Sequence, residues 1–411
     1  MWNEVQWIKI PDMELRDKQI LHGDLGGRFA YFRLEQELPA DARLTARITA
    51  VSRYRLWVND QAVLSGSCKG DLNRQYYETV SLTPYLHAGK NVFAVQVLYN
   101  DPDIARDQTD ERAAIYGVVG AGNCHALAID GDITDAFGRV IGTISTGKAL
   151  WRVWLDHTFY LKSSEYTVYL GATEESVDAR RSPLEWKRLD FDASSWSLAC
   201  ASGPVMPSAL FQSVGLIPRV HLMPREIPLM EETECAFARV IRRKNDLVLD
   251  AGVEVNGYPR FSFNGNAGTE ITVTYLERFG NGADGARIDD MGGTVEGRAD
   301  HIILNGHLVN YEPFWVRTFR YIVVKSSDGK LPEMPAAQVY RKTGYPLSVE
   351  STVDSSTPWV GQLWGICLRT LQNCMLETYM DCPYYEQLQF IMDTRPVSYT
   401  HLRAHETCAD L

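Results

Sequence analysis

The stretch YRLWVND at residues 54–60, followed by YYETVSLTPYLHAGKNVFAVQV at residues 76–97, decides the fold class. Apolar and polar residues alternate along both segments, which is typical of half-buried β-strands. Asn59-Asp60 and Gly89-Lys90-Asn91 are turn signals between the strands. Short strands joined by compact turns at this spacing predict an antiparallel β-sandwich, and we expect it to occupy residues 1–205.

Length and composition describe an ordinary globular protein of two or three domains. The chain has 411 residues, of which 45% are hydrophobic and 23% are charged, so it is long enough to bury separate cores. Its net charge of −11 and its lack of a Lys/Arg cluster disfavour a nucleic-acid partner. A neutral ligand such as a carbohydrate suits this charge better, and the 10 Trp and 20 Tyr supply flat apolar faces for it.

The sequence carries no signal for membrane insertion or export. It has no run of about 18 apolar residues, and its first residues, MWNEVQWI, lack the basic start and apolar core of a signal peptide. We therefore predict a cytoplasmic protein. The 8 cysteines form no C-x-x-C pair and have no zinc-like spacing with His, so we expect free thiols, no metal and no cofactor.

A second strand-rich unit is predicted at residues 234–345. Alternating patterns recur in DLVLDAGVEVNGYPRFSF at 246–263 and in FWVRTFRYIVV at 314–324, which again indicates antiparallel strands. Prolines recur between the two units, so we predict a proline-rich linker at residues 206–233.

The apolar period changes from that of a strand to that of a helix near residue 346. Ser356-Thr357-Pro358 is typical of a helix start, with a capping hydroxyl and an early proline. The apolar residues that follow have the spacing of one amphipathic stripe: Val360, Leu363, Trp364, Cys367, Leu368, Leu371, Cys374 and Met375. Such a stripe needs a partner, and we expect a helical domain of which this chain contains only the beginning.

The most site-like segment is DCPYYEQLQF at residues 381–390, followed by Asp393 and Arg395. Carboxylates among aromatic rings suit glycoside chemistry, because apolar surroundings keep a Glu protonated near neutral pH so that it can act as a general acid. A second interpretation is structural. Asp381 would cap a helix with Pro383 in its first turn, and Glu386 would lie near the positive end of the helix dipole.

Three groups of residues carry a resemblance to known families. YRLWVND…YYETVSLTPYLHAGKNVFAVQV resembles the galactose-binding-like jelly-roll modules that accompany many glycosidases. The segments at 250–277 and 299–324 resemble the second β-domain of bacterial α-L-rhamnosidases, of the glycoside hydrolase family 78 type. The same family carries Asp-Cys-Pro followed by a Glu three residues after the proline, as in Asp381-Cys382-Pro383 and Glu386.

This resemblance implies a function for the last segment. It implies that Glu386 is the general acid, that Asp381 contacts sugar hydroxyls, and that Tyr385 and Asp393 also contact substrate. Many members have Arg in place of Tyr385, so the exact sugar stays open. The family places its sugar site in an (α/α)6 barrel and inverts the anomeric centre, which requires a second carboxylate, a Glu much later in the chain.

We therefore predict a mainly β protein with two antiparallel, jelly-roll-like β-sandwich domains followed by the truncated start of an (α/α)6 barrel at residues 346–395. We expect residues 396–411 to be a non-native tail. The full-length form would hydrolyse terminal α-L-rhamnosides, whereas this chain would be inactive because the base is missing. The alternatives are a non-catalytic carbohydrate-binding or scaffold protein, and a six-hairpin glycosidase acting on another sugar. The sequence gives no oligomeric state.

Overall fold

The computed structural model describes most of the chain. The described residues are 2, 4–11, 24–70, 74–100, 126–162, 173–205, 221–280, 287–288, 291–330, 333–387, 389–390 and 392. Asp393, Arg395, the first part of the predicted linker and the predicted tail at 396–411 lie outside them.

Strands dominate the described residues. The first half of the chain contains β1 (Gln6–Lys9), β2 (Asp24–Leu38), β3 (Arg43–Ala50), β4 (Tyr54–Val58), β5 (Gln61–Gly66), β6 (Arg74–Ser81), β7 (Gly89–Asn100), β8 (Leu127–Asp130), β9 (Asp132–Thr134), β10 (Val140–Thr143), β11 (Arg152–Lys162), β12 (Glu174–Asp178), β13 (Ser197–Leu198) and β14 (Cys200–Pro204), with a 3-10 turn at Thr83–Tyr85.

The second half contains β15 (His221–Pro224), β16 (Glu231–Ala236), β17 (Arg239–Arg242), β18 (Asp246–Phe263), β19 (Glu270–Leu276), β20 (Phe279–Gly280), β21 (Arg287–Ile288), β22 (Arg298–Ile303), β23 (Val309–Tyr311), β24 (Arg317–Ser326), β25 (Val339–Gly344) and the helix α1 (Val360–Asn373). The prediction of a mainly β protein is confirmed. That α1 begins an (α/α)6 barrel stays a prediction.

The first sandwich, formed by β1–β14, consists of two facing sheets. One has the order β10-β9-β3-β8-β1-β14, with β6 on β3, and the other contains β12-β11-β2-β7-β4-β5. Side chains from both sheets, such as Ile48, Phe93 and Leu127, fill one buried core. The alternation seen in the sequence thus supplies the apolar inner face of each layer.

The turn between β4 and β5 is the two-residue turn that the sequence predicts. Asn59 and Asp60 both have positive φ, at 52° and 63°. Such a pair gives the strand-to-strand twist of a tight hairpin, and Asn and Asp tolerate this backbone conformation better than most residues. The Asn59 side chain also accepts a hydrogen bond from the Val92 backbone N–H at 2.8 Å, which ties the hairpin to β7.

The second sandwich, formed by β16–β25, shares a sheet with the first. β12 pairs in parallel with β22, with Ser176 opposite His301 and Asp178 opposite Ile303. One 15-stranded sheet therefore runs from β5 in the first sandwich to β16 in the second. The long strand β18 changes register between Asp250 and Val255, which lets it pair with β24 and β17 and, further along, with β25.

A buried ion cluster lies where the two sandwiches share this sheet. Arg317 on β24 donates to Glu175 of β12 at 2.9 Å and to Asp300 of β22 at 2.7 Å. Glu175 also accepts the backbone N–H groups of Phe314 and Trp315 at 2.8 and 3.0 Å. These charges are almost fully buried. A buried charge is tolerated only when it is paired and hydrogen-bonded, so this cluster ties the sandwiches together specifically.

Among its described residues, the predicted linker contains β15 and the first three residues of β16. β15 pairs in parallel with β6 of the first sandwich, and β16 pairs antiparallel with β25 of the second. The segment is therefore hydrogen-bonded to both sandwiches. The domain boundaries read from the sequence stay predictions.

The helix differs from its prediction at its start and along its stripe. It begins at Val360, after Trp359, which makes no side-chain capping bond, so the predicted hydroxyl cap is wrong. Leu363 and Trp364 are exposed, and the predicted stripe is buried only at its end, from Leu371 onward. No helix of the described residues is long and apolar enough to cross a membrane.

Candidate functional site

The predicted site segment forms a turn that is held against the second sandwich. The Glu386 backbone N–H donates to the Cys382 carbonyl at 2.9 Å, which closes the turn. Thr318 donates its hydroxyl to the Pro383 carbonyl at 2.8 Å, and Tyr384 donates to the Tyr275 carbonyl at 2.7 Å. Residues 381–387 are not helical, so the interpretation of Asp381 as a helix cap is wrong.

Residues just before the segment and near its end are anchored on both sandwiches. Gln387 accepts the indole N–H of Trp315 in the second sandwich at 2.7 Å. Glu377 accepts two hydrogen bonds from Arg53 of the first sandwich, at 2.6 and 3.2 Å. Burial raises the pKa of Glu377, but Arg53 and Arg225 outweigh it and lower the pKa below the usual value, so Glu377 stays ionised. The position of the turn thus depends on both sandwiches.

The turn brings three of its polar side chains together. One carboxylate oxygen each of Asp381 and Glu386 and the sulfur of Cys382 lie within 4.8 Å of one another. Asp381 is exposed and Glu386 is half-buried. Burial and the two carboxylates raise the pKa of the Cys382 thiol to about 12, so it is protonated at neutral pH.

The other predicted site residues have different positions. Tyr385 is half-buried and packs edge-on against Tyr384, with ring centroids 4.8 Å apart. Asp393 lies outside the described residues. The structure therefore brings Asp381, Tyr385 and Glu386 together on one turn and gives no information on Asp393.

Sequence reasoning missed a pair of carboxyl groups close to the turn. Glu254 on β18 interacts with Glu277, which follows β19. The pKa of the Cys374 thiol is raised mainly by burial and further by Glu254 and Asp381, so Glu254 lies near the turn. Burial and Glu277 raise the pKa of Glu254 to about 7. β18 and β19 both pair with β24, which lies between them in the sheet, and no local pattern in the sequence signals the proximity of the two carboxyl groups.

We expect Glu254 to make the stability of the protein depend on pH. Its folded-state pKa of about 7 lies above the value of about 4.3 expected in an unfolded chain. The folded state therefore holds a proton that the unfolded state loses, and this stabilisation is complete below about pH 4.3 and is lost as the pH rises through 7. Glu254→Gln should flatten the fall in the free energy of unfolding between pH 5 and 8.

The measurement is urea unfolding of both proteins at four pH values in that range. Groups that do not interact with Glu254 titrate equally in the two proteins, so the difference between the curves reports Glu254 together with the groups coupled to it, chiefly Glu277. The exposed Glu37→Gln serves as the matched control and should leave the pH dependence unchanged. Parallel curves for wild type and Glu254→Gln would contradict the prediction.

The spacing of the two carboxylates limits the chemistry of the turn. Asp381 and Glu386 approach within 4.8 Å. An inverting glycosidase places its acid and base about 6.5–9.5 Å apart, to leave room for the attacking water. Asp381 is therefore too close to serve as that base, whereas one carboxyl acting as an acid beside a second group that binds hydroxyls is compatible with this arrangement.

Comparison with known proteins confirms the resemblance inferred from the sequence. Residues 241–340 match the family model of the bacterial alpha-L-rhamnosidase concanavalin-like domain. This range covers most of the second sandwich, including Arg317 and Thr318. No curated protein gives a match.

Solved structures of rhamnosidases share the fold. The GH78 rhamnosidase of Bacillus sp. GL1 superposes with a TM-score of 0.69 at 15% identity, over 96% of this chain and 60% of that one. The alfa-L-rhamnosidase of Aspergillus terreus gives 0.62 at 20% identity, over 94% and 41%. The Streptomyces avermitilis enzyme, complexed with L-rhamnose, gives 0.62 at 19% identity, over 93% and 36%. This chain thus spans between about a third and 60% of their lengths.

Proposed function

We propose that this chain forms part of a glycoside hydrolase that cleaves terminal α-L-rhamnosides with inversion, and that Glu386 is its general acid. The observation that carries the proposal is the position of the Asp381–Glu386 turn. The turn is hydrogen-bonded through Thr318 and Tyr275 to the sandwich that matches the rhamnosidase family model. The family motif and the family domain are therefore adjacent in space as well as in sequence.

The proposed chemistry assigns a separate role to each side chain. Glu386 donates a proton to the leaving oxygen as the glycosidic bond breaks, which avoids expulsion of an alkoxide. Asp381, exposed beside it, accepts hydrogen bonds from sugar hydroxyls. Tyr385 and Asp393 are proposed to contact the same sugar. The base that activates water is a further carboxylate, because Asp381 lies too close to Glu386 for that role.

The test compares the 411-residue chain with a protein in which it continues into a complete catalytic domain. Both are assayed on a panel of 4-nitrophenyl glycosides, and the released sugar is followed by proton NMR. We expect the longer protein to hydrolyse the α-L-rhamnoside in preference to the other glycosides and to release β-L-rhamnose first. We expect no turnover by the 411-residue chain, because acid and base must act together.

Two results would contradict the proposal in different ways. Comparable turnover by the 411-residue chain would show that no further carboxylate is needed. Preference of the longer protein for another sugar would retain the glycosidase but replace its substrate.

A further inference from the structure

A large cleft lies between the two sandwiches, on the side of the shared sheet where β5 forms the edge. Its volume is about 1050 Å³, and its walls come from the β4–β5 hairpin, β18, β25 and residues 376–387. Clefts of about 300–1,000 Å³ at domain junctions are typical of small-molecule sites. Gln387 lines the cleft, whereas Asp381 and Glu386 do not. The cleft is therefore separate from the candidate acid.

Cationic and aromatic side chains alternate in one wall of the cleft: Trp57, Lys187, Tyr258 and Arg341 line the space, and Arg55, which does not line it, contacts the Trp57 and Tyr258 rings. The Lys187 ammonium lies 4.7 Å from the centre of the Trp57 ring, and the Arg55 guanidinium lies 4.9 Å from the same ring. Arg55 also lies 4.8 Å from the Tyr258 ring, and Arg341 lies 5.2 Å from it. Each contact is in the cation–π range, so the groups hold one another in fixed positions. The wall is thus organised before any ligand arrives.

Carboxylates neutralise these cations. Glu312 forms ion pairs with both Arg55 and Arg341. Burial raises the pKa of Glu312, but the two arginines outweigh it and lower the pKa to about 2, so the carboxylate is ionised. Arg53, which also lines the cleft, is paired with Glu377 in the same way. No strong positive field remains to attract an anion.

The charges of the whole lining exclude two classes of ligand. Six carboxylates face the cleft: Asp60, Glu185, Glu232, Glu234, Glu312 and Glu377. Five cationic side chains accompany them, so a polyanion would meet at least as much repulsion as attraction. A wholly apolar ligand would remove water from these charges without replacing its hydrogen bonds, which is costly. A neutral molecule with many hydroxyl groups satisfies both donors and acceptors.

One pair of residues that line the cleft has hydrogen-bonding capacity to spare. Asp60 and Lys187 approach only to 4.0 Å, and the Asp60 side chain is 51% exposed. This separation exceeds a hydrogen bond, so each group can bond to a third partner. A sugar hydroxyl placed between them would donate to Asp60 and accept from Lys187.

We propose that this cleft binds a short neutral oligosaccharide at a site distinct from the one that contains Glu386. Residues of both sandwiches contact the oligosaccharide, and the Asp60–Lys187 pair forms hydrogen bonds with one of its hydroxyl groups. Binding here does not require the catalytic acid, so it is independent of the proposed hydrolysis. It would hold a glycan beside the turn that carries Glu386.

The test is calorimetric titration of the 411-residue protein with neutral oligosaccharides of two to four residues. The panel contains rhamnose-, glucose-, galactose- and xylose-based chains, with trigalacturonate as the anionic arm. Ala62, an exposed residue of the edge strand β5, lines the cleft, and Ala62→Trp should fill part of it and abolish binding. The matched control is Ala201→Trp on the edge strand β14, where the residue is also exposed but does not line the cleft.

A second variant tests the Asp60–Lys187 pair without changing the shape of the cleft. Asp60→Asn keeps the size of the side chain, and Asn tolerates the positive φ of this turn. We expect it to weaken binding about tenfold, because a hydrogen bond to a charged acceptor becomes one to a neutral acceptor.

The outcomes separate this site from the proposed hydrolytic one. Unchanged affinity of Glu386→Gln supports a separate site, whereas loss of binding in that variant would overturn it. Failure of every neutral oligosaccharide to bind, binding of trigalacturonate alone, or equal binding by Ala62→Trp and wild type would also overturn the proposal. None of these results bears on whether the longer protein hydrolyses rhamnosides.

Discussion

Glu386→Gln is expected to lower kcat/KM by about 10²–10⁴-fold on an alkyl α-L-rhamnoside, in the protein that carries the complete catalytic domain. Gln has nearly the same size as Glu but holds no transferable proton, so the leaving alkoxide would depart without protonation. The loss should be much smaller with 2,4-dinitrophenyl rhamnoside, because that leaving group needs no proton. The measurement is steady-state kinetics on both substrates.

A matched substitution and a pH profile complete this experiment. Glu350→Gln makes the same chemical change at an exposed residue that is not part of the turn and should leave both rates unchanged. The alkaline limb of the pH profile of kcat/KM, which reports ionisation of the acid, should disappear in Glu386→Gln. An equal loss on both substrates would indicate a structural effect and would remove Glu386 from its proposed role.

Arg317→Met should destabilise the protein by about 3–5 kcal/mol, since it leaves buried carboxylates without their cation. Arg317 is the shared partner of Glu175 and Asp300, at 2.9 and 2.7 Å, and all three are almost fully buried. Met retains much of the length of the side chain and removes the charge. The measurement is the free energy of unfolding in urea, followed by circular dichroism.

The control for this substitution lies on the same strand. Lys325→Met removes a charge from an exposed position of β24 and should change stability by less than about 0.5 kcal/mol. Neutralising the carboxylates as well, in Arg317→Met/Glu175→Gln/Asp300→Asn, should recover part of the loss. No recovery would mean that packing around Arg317, rather than its charge, stabilises the junction.

Much of the local structure could be predicted from the sequence because strand periodicity is a local property. The segment at residues 54–58 coincides with β4, and the turn at Asn59-Asp60 has the backbone conformation that its residue types favour. The parallel pairing of β12 with β22 could not be predicted in this way. It joins residues more than a hundred positions apart, and the sequence of neither strand indicates which strand it pairs with.

The site shows the same division between local and distant information. Asp381, Tyr385 and Glu386 were identifiable because they lie in one short motif, and the structure places them on one turn. Glu377 and Glu254 were not, because their environments are created by Arg53 and Glu277 from other parts of the chain. The apolar spacing correctly predicted a helix, but it did not predict which of its residues are buried, because burial depends on the elements that pack against the helix.

The parallel pairing of β12 with β22 has a consequence for any attempt to separate the two sandwiches. A protein divided within residues 206–233 would leave β12 without its neighbour in one half and β22 without its neighbour in the other. Each half would then present a row of unpaired backbone N–H and C=O groups, which is a template for adding strands from other molecules. The two halves would be prone to aggregate when made alone, and to recombine when made together.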